Sequence, residues 1–380
     1  MSFSSLGLAP SLLKGLSELK YTKPYPIQKQ AIPAILQKKD ILGIAQTGSG
    51  KTASYVLPIL MNLLGKPKEK DRYIKVLVLV PTRELAIQVE SVFQHFSEYL
   101  PEQIKSMAVY GGVSINPQMK GLFGTNILVA TPGRLLEIVE SKAVELSVVT
   151  TLVLDEADKM LNMGFKEEMD KIIKLLPRGR QNLLFSATLS KEVELINQVL
   201  LHEPKVIKIE PEKDNIDLTS QHAYLVTEDR KGPLLRYLIK TKEMKQVLIF
   251  ASSVYKADNV ADKLRKNGIN AKATHSKKSQ KARIDALQDF KSGELQVLVA
   301  TDLLSRGIDI EFLPYVINYE LPRSPKDYIH RIGRTGRADN PGEAYSLITK
   351  EEEHHFKVIQ KKMKKQVETS PTDELDLHGF

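Results

Sequence analysis

Residues 40–52, DILGIAQTGSGKT, hold the local pattern from which the fold is read. A short apolar run, Asp40 to Ile44, leads without a spacer into a glycine-rich turn, and a helix-like stretch begins at Lys51. Strand, loop and helix in that order form the context of a phosphate-binding loop. The chemistry follows from the residue types. The small residues of Ala45, Gln46, Thr47, Gly48, Ser49 and Gly50 let successive backbone N–H groups approach an anion, Lys51 can reach the outer phosphates, and the Thr52 hydroxyl can hold Mg2+. Ala45 stands where the general pattern has its first glycine, while Gly50, Lys51 and Thr52 keep its end intact. A strand buried on both faces and followed by a helix implies a doubly wound α/β sheet, whose ligand sites lie at the carboxyl ends of the strands.

Further along, the run TTLVLDEAD (150–158) ends in acidic residues. Asp155 emerges where a carboxylate can complete Mg2+ coordination through water, and Glu156 where it can orient and deprotonate an attacking water. An acidic pair after a strand can equally cap a helix. Other apolar, β-branched runs recur between helix-like stretches: KVLVLVP (75–81), NILVATP (126–132) and QNLLFSAT (181–188), then QVLIFASS (246–253), LQVLVATD (295–302) and YVINYELP (315–322). The polar stretch around 208–220 separates the two groups. The expected organisation is a domain over 1–209, a linker over 210–218, a second domain over 219–365 and a short mobile tail over 366–380. Pro81 and Thr131 each follow an apolar run, so Arg83, Gly112, Thr131 and Arg134 are expected on one rim of the first sheet. Such groups suit a phosphodiester backbone, and each alone can also be an ordinary strand-end turn residue.

The 380 residues suit two domains of ordinary size. With no cysteine, disulfides, thiol chemistry and Cys-ligated zinc are excluded. No run of about 18 apolar residues is present, and MSFSSLGLAPSLLKGL lacks the pattern of an export signal, so no membrane association and a cytoplasmic location are expected. The excess of 55 basic over 46 acidic residues, a net charge of +9, is compatible with a polyanionic partner and equally with simple solubility. There is no Trp and aromatic content is 6%, which disfavours base stacking as the main binding mode.

In family order the chain carries Phe3, YTKPYPIQ ending at Gln28, AQTGSGKT, PTRELA, Gly111-Gly112, TPGR, DEAD, SAT, FASS, ATDLLSRGID and HRIGRTGR. Over nearly its whole length it therefore resembles the DEAD-box ATP-dependent RNA helicases. VYGGVSINPQM also resembles the bacterial RhlE-type subgroup. The resemblance implies two tandem RecA-like domains, each a mostly parallel sheet with helices on both faces. It implies ATP as substrate with Mg2+, and single-stranded and short duplex RNA as partners. Gln28 would read the adenine edge, with Phe3 and Tyr21 forming the base pocket and Asp309 contacting the ribose. Arg334 and Arg337 would reach the γ phosphate as arginine fingers in cis, and His330 would link that segment to the rest of the site. Asp158, Ser186, Ala187 and Thr188 would couple hydrolysis to domain movement. RNA contacts would come from Pro81, Thr82, Arg83, Gly111, Gly112, Thr131, Pro132, Gly133 and Arg134, and from Gln280, Arg283, Thr301 and Arg306. HSKKS, from His275, departs from the family's usual HG. A monomer is expected, with ribosome-assembly or RNA-decay proteins as partners. A DNA-directed translocase and a slow ATPase clamp on RNA are the rival readings.

Overall fold

The structure is a computed structural model and describes residues 2–46, 48–65, 72–209, 219–301, 313–335 and 342–380. The chain divides into two compact units, Met1–Pro211 and Glu212–Phe380. The segment expected as the linker, 210–218, lies outside the described residues.

In the first unit seven strands form one sheet: β1 (Ile41–Ile44), β2 (Val76–Leu79), β3 (Ser106–Val109), β4 (Ile127–Ala130), β5 (Thr151–Leu154), β6 (Gln181–Ser186) and β7 (Lys205–Lys208). Their order is β3-β4-β2-β5-β6-β1-β7, and every pairing is parallel. Period-2 alternation splits the strand residues between two cores. Val76, Val78, Ile127, Val129 and Phe185 join one cluster, whereas Leu77, Leu79, Leu128, Ala130 and Leu184 join the other. Helices cover both faces, which is why the central strands read as continuous apolar runs. Because all strands are parallel, the segments following β1, β5 and β6 emerge on one edge, side by side. The backbone confirms the adjacency: Ala45 N–H donates to Ser186 at 3.0 Å.

The second unit repeats the plan with β8 (Thr219–Leu225), β9 (Val247–Phe250), β10 (Ala271–Thr274), β11 (Val297–Ala300), β12 (Tyr315–Asn318), β13 (Gly342–Ile348) and β14 (Thr369–Pro371). The order is β10-β11-β9-β12-β13-β8-β14, again parallel throughout. Val247 and Ile249 face one core, Leu248 and Phe250 another.

The expectation of a mobile tail over 366–380 is corrected here. Thr369–Pro371 form the edge strand β14 beside Ala223–Leu225, and the Thr372 hydroxyl donates to the Leu225 carbonyl at 2.7 Å. Leu377 is buried against the core, and the Phe380 ring meets Tyr237 edge to face at 5.2 Å. Sparse apolar residues in a polar stretch suffice to dock it, because an open strand edge supplies unpaired backbone partners. No helix of the described residues is long and apolar enough to cross a membrane.

Candidate active site

Helix Lys51–Leu63 begins directly at the phosphate loop, with Gly50 as its cap at φ +84° and Gly48 at φ +77°. No side chain caps the helix, so its first N–H groups point into the loop as anion donors. Gly50 has a second reason to be glycine, since a Cβ there would lie 2.5 Å from Gln28 Nε2. The Lys51 ammonium folds back onto the loop, donating to the Ala45 carbonyl at 2.7 Å and the Gln46 carbonyl at 3.1 Å. Gln28 is buried on helix Pro26–Leu36. It accepts the Tyr25 N–H at 2.9 Å and donates to the Gly50 carbonyl at 3.1 Å, which fastens its helix to the loop. The Phe3 and Tyr21 rings meet edge to face at 6.5 Å, and Tyr21 packs in the same way on Phe96.

Asp155 follows β5 and is 2% exposed. Its Oδ2 accepts the Tyr55 hydroxyl at 2.9 Å and its Oδ1 the Glu156 N–H at 2.9 Å. Burial pushes the Asp155 carboxyl up to about 6, against the opposing pull of the Lys51 ammonium. Glu156 adopts a left-handed backbone at φ +51°, costly for a residue with a Cβ, and pairs with Lys159 at 3.0 Å. Glu156 caps helix Ala157–Asn162 through its backbone, with no side-chain cap bond, so the acidic pair is not there as a side-chain cap. From that helix, Asp158 reaches Thr188, accepting its N–H at 3.1 Å and its hydroxyl at 2.8 Å. Ser186 in turn donates to the Thr188 carbonyl at 2.8 Å, with Ala187 between them. The loop, the acidic turn and Ser186–Thr188 thus form one hydrogen-bonded cluster.

On the same unit, Pro81 and Thr82 lead into helix Arg83–Ser97, where Thr82 accepts the Leu85 N–H at 3.3 Å. The Arg83 guanidinium lies against Gly112, which is at φ +76°; a Cβ there would sit 2.0 Å from Nη1. Thr131 caps helix Pro132–Glu140 through its backbone and leaves its side chain out of the cap. Arg134 is 7% exposed, donating to Glu137 at 2.8 Å and to the Val113 carbonyl at 2.9 Å. Arg83, Gly111, Gly112, Thr131, Gly133 and Arg134 therefore share one rim, with Arg134 ordering it from beneath. Sequence reading missed Gln118, which accepts the Tyr110 N–H at 2.8 Å and donates to the Tyr110 and Ser114 carbonyls, each at 3.2 Å. It braces the glycine turn from inside VYGGVSINPQM.

In the second unit Thr301 directly follows β11, and Gln280 and Arg283 lie one turn apart on helix Gln280–Ser292, joined at 3.2 Å. Helix Pro325–Ile332 carries His330, and the Arg334 carbonyl accepts the Leu313 N–H at 3.1 Å. Arg331, between them, was missed. It is 2% exposed, donates to Asn318 Oδ1 at 3.1 Å and the Glu320 carbonyl at 2.7 Å, and stacks over Phe250 at 4.8 Å. In the HSKKS segment His275 is buried with Nε2 3.0 Å from Asp258, whose other oxygen meets Lys278 at 2.8 Å. Thr47, Arg306, Asp309 and Arg337 lie outside the described residues.

Comparison with known proteins decides the family. The sequence profile of the DEAD/DEAH box helicases matches residues 25–196, and that of the helicase conserved C-terminal domain matches 230–339. The ATP-dependent RNA helicase CshA of Limosilactobacillus reuteri is 38% identical over 95% of this chain and 72% of its own. The ATP-dependent rRNA helicase RRP3 of Gibberella zeae is 37% identical over 100% of this chain and 77% of its own. This chain belongs to the DEAD/DEAH box helicase family. Among solved structures, S. cerevisiae Dbp5 bound to RNA and ADP BeF3 matches with a TM-score of 0.82 at 30% identity, covering 98% of this chain and 96% of that one. For a DEAD-box helicase, two parallel seven-stranded sheets are the tandem RecA-like plan expected from the sequence. The four acidic-motif positions 155–158 also gain separate jobs: Asp155 is buried and doubly bonded, Glu156 is strained and paired, Ala157 is buried in the core, and Asp158 reaches Thr188.

Proposed function

We propose that the protein is an RNA-stimulated ATPase that separates short RNA duplexes locally and remodels RNA-protein assemblies. One observation carries the reading: the phosphate loop, Asp155 and the Asp158–Thr188 pair form a single cluster at the strand ends of the first unit. The names of the relatives, and the RNA and ADP BeF3 bound to Dbp5, agree with it. VYGGVSINPQM favours the RhlE-type subgroup within the family.

ATP would place its phosphates over the N-terminus of helix Lys51–Leu63, where the backbone N–H groups and Lys51 meet them. Lys51 would exchange two carbonyl partners for phosphate oxygens, a charge-assisted and stronger contact. Gln28 has one further donor and one further acceptor site by count, enough for the adenine N6 and N7 edge and wrong for guanine. The donor set suits a hydrated magnesium ion: a buried carboxylate held in plane and a hydroxyl at the loop, both oxygen ligands. When bound, the ion neutralises charge on the β and γ phosphates. Asp155 and Thr52 would hold it, largely through water.

Glu156 would leave Lys159, orient a water in line with the γ phosphorus and take its proton as the bond to ADP breaks. Arg334 and Arg337 of the second domain would stabilise the charge on the transferred group. RNA would bind by its backbone along Arg83, Gly112 and Thr131 in one domain and along Gln280, Arg283, Thr301 and Arg306 in the other, with little sequence preference. ATP and RNA would each favour domain closure, and so each other's binding.

The deciding experiment is steady-state ATP hydrolysis without nucleic acid, with single-stranded RNA and with DNA of the same sequence, using Glu156→Gln as control. Stimulation by RNA alone, lost in the variant, is expected. Equal rates in all three conditions would reject RNA coupling.

A further inference from the structure

Tyr55 stands one turn beyond Lys51 on the helix Lys51–Leu63, and its side chain is wholly buried. Phe185 lies 5.4 Å from it, centroid to centroid, and Phe93 lies 6.4 Å away. Packed between two rings, the phenol has little freedom to turn. Its hydroxyl donates to Asp155 Oδ2 at 2.9 Å while the Glu156 N–H holds Oδ1, so both oxygens of the carboxylate are fixed and its plane is set. This hydroxyl thus fixes the carboxylate to which the nucleotide reading assigns the metal.

We propose that Tyr55 is a positioning residue for the magnesium site, holding Asp155 so that its carboxylate presents its oxygens in fixed directions to a hydrated ion. The inference rests on the Mg2+-dependent ATP reading above. Tyr55 touches neither nucleotide nor ion; it acts through the carboxylate, as outer partners of metal ligands do. A phenylalanine would keep the ring packing and delete only the donor. Asp155 Oδ2 would then be a buried acceptor without its partner, free to rotate out of plane.

The test uses the whole chain carrying Tyr55→Phe, with a fluorescent ADP analogue titrated in Mg2+ and again in EDTA. The expected result is binding weakened ~10-fold in Mg2+, within the range for lost outer-shell partners, and changed less than about twofold in EDTA. The EDTA arm also reports that the loop is still folded. The Mg2+ concentration for half-maximal binding should rise in step. In an Asp155→Asn background, Tyr55→Phe should add nothing. Unchanged affinity in Mg2+, or equal loss with and without Mg2+, overturns the proposal and leaves Tyr55 as packing. A wild-type chain that binds ADP no better in Mg2+ than in EDTA overturns the metal reading itself, and is recognisable because it appears before any substitution is made.

Discussion

Thr188 donates twice to the same Asp158 oxygen, through its N–H at 3.1 Å and its hydroxyl at 2.8 Å, across thirty residues of sequence. Asp158 is three residues from the buried Asp155, and Ser186 ties back to the loop strand through the Ala45 N–H. On the proposed function, a change at the nucleotide would reach the turn after β6 through these bonds. Thr188→Val keeps the branched shape and removes the hydroxyl donor. Hydrogen bonds to charged groups are worth about 1.5–3 kcal/mol, less where exposed as here. ATP hydrolysis should stay within about threefold of wild type, and duplex separation should fall ~10-fold. Side-by-side rates decide it; equal losses in both would mean that Thr188 supports the site and does not transmit from it.

Gly112 is held at φ +76° with the Arg83 guanidinium where a Cβ would be. Gly112→Ala must both strain the backbone, at about 1–2 kcal/mol, and push Arg83 aside. RNA affinity should drop ~10-fold with ADP affinity unchanged, measured by fluorescence anisotropy on labelled RNA. Arg83→Ala should reproduce most of that loss, and the two together should be less than additive because they share one contact. Full additivity would separate the glycine from the arginine.

What could be read from the sequence, and what could not, follows from where each residue finds its partners. β1, β2, β4, β5, β6, β9, β11 and β12 are buried on both faces, so their apolar runs stand out without any knowledge of the fold. β7, KVIK, is an edge strand with one buried position, and β14, TSP, is three residues with none wholly buried; neither pattern differs from a loop until a neighbour strand is present. The phosphate loop is local in sequence and was legible for that reason. Arg331 was not, because what buries a guanidinium is Asn318, Glu320 and the Phe250 ring, which no spacing within HRIGRTGR announces. Gln28 is a candidate only through resemblance; its bond to Tyr25 is local to its own helix start, and the one that carries it to the phosphate loop, to Gly50, joins separate segments.

Asp155 gives a pH dependence with a definite sign. Its folded value, about 6, lies above the ordinary carboxylate value near 4, so between these the folded ligand-free chain holds a proton that the unfolded chain has released. The burial penalty is present in full above pH 6 and is relieved as pH falls towards 4. Asp155→Asn cannot titrate. Wild type should therefore gain about 1 kcal/mol on Asp155→Asn between pH 7.5 and pH 5, whatever their difference at pH 7.5. Chemical denaturation at the two pH values measures it. A constant difference would place the ionised carboxylate in a far more solvated setting than its 2% exposure implies.

The two arginines of helix Pro325–Ile332 and the turn after it should fail in different ways, and the contrast tests the division of labour between them. Arg331 is buried, bonded to Asn318 and Glu320 and stacked on Phe250, so its loss is a loss of structure. Arg331→Met should destabilise the second unit by about 2–4 kcal/mol, because Asn318 and the Glu320 carbonyl each lose a buried donor, at about 1–3 kcal/mol for each acceptor left unsatisfied. Arg331→Lys, which keeps charge but not the planar fork, should recover less than half. In the proposed mechanism Arg334 acts as a finger, and on that reading its loss should be a loss of rate. Arg334→Ala should melt with wild type, bind ADP with unchanged affinity and lose RNA-stimulated turnover by ~10³-fold. Melting curves and single-turnover hydrolysis on both variants give the answer together. If Arg334→Ala melts early and hydrolyses ATP in proportion to its folded fraction, Arg334 belongs with Arg331 as a structural residue, and the catalytic cation must come from elsewhere in the motif.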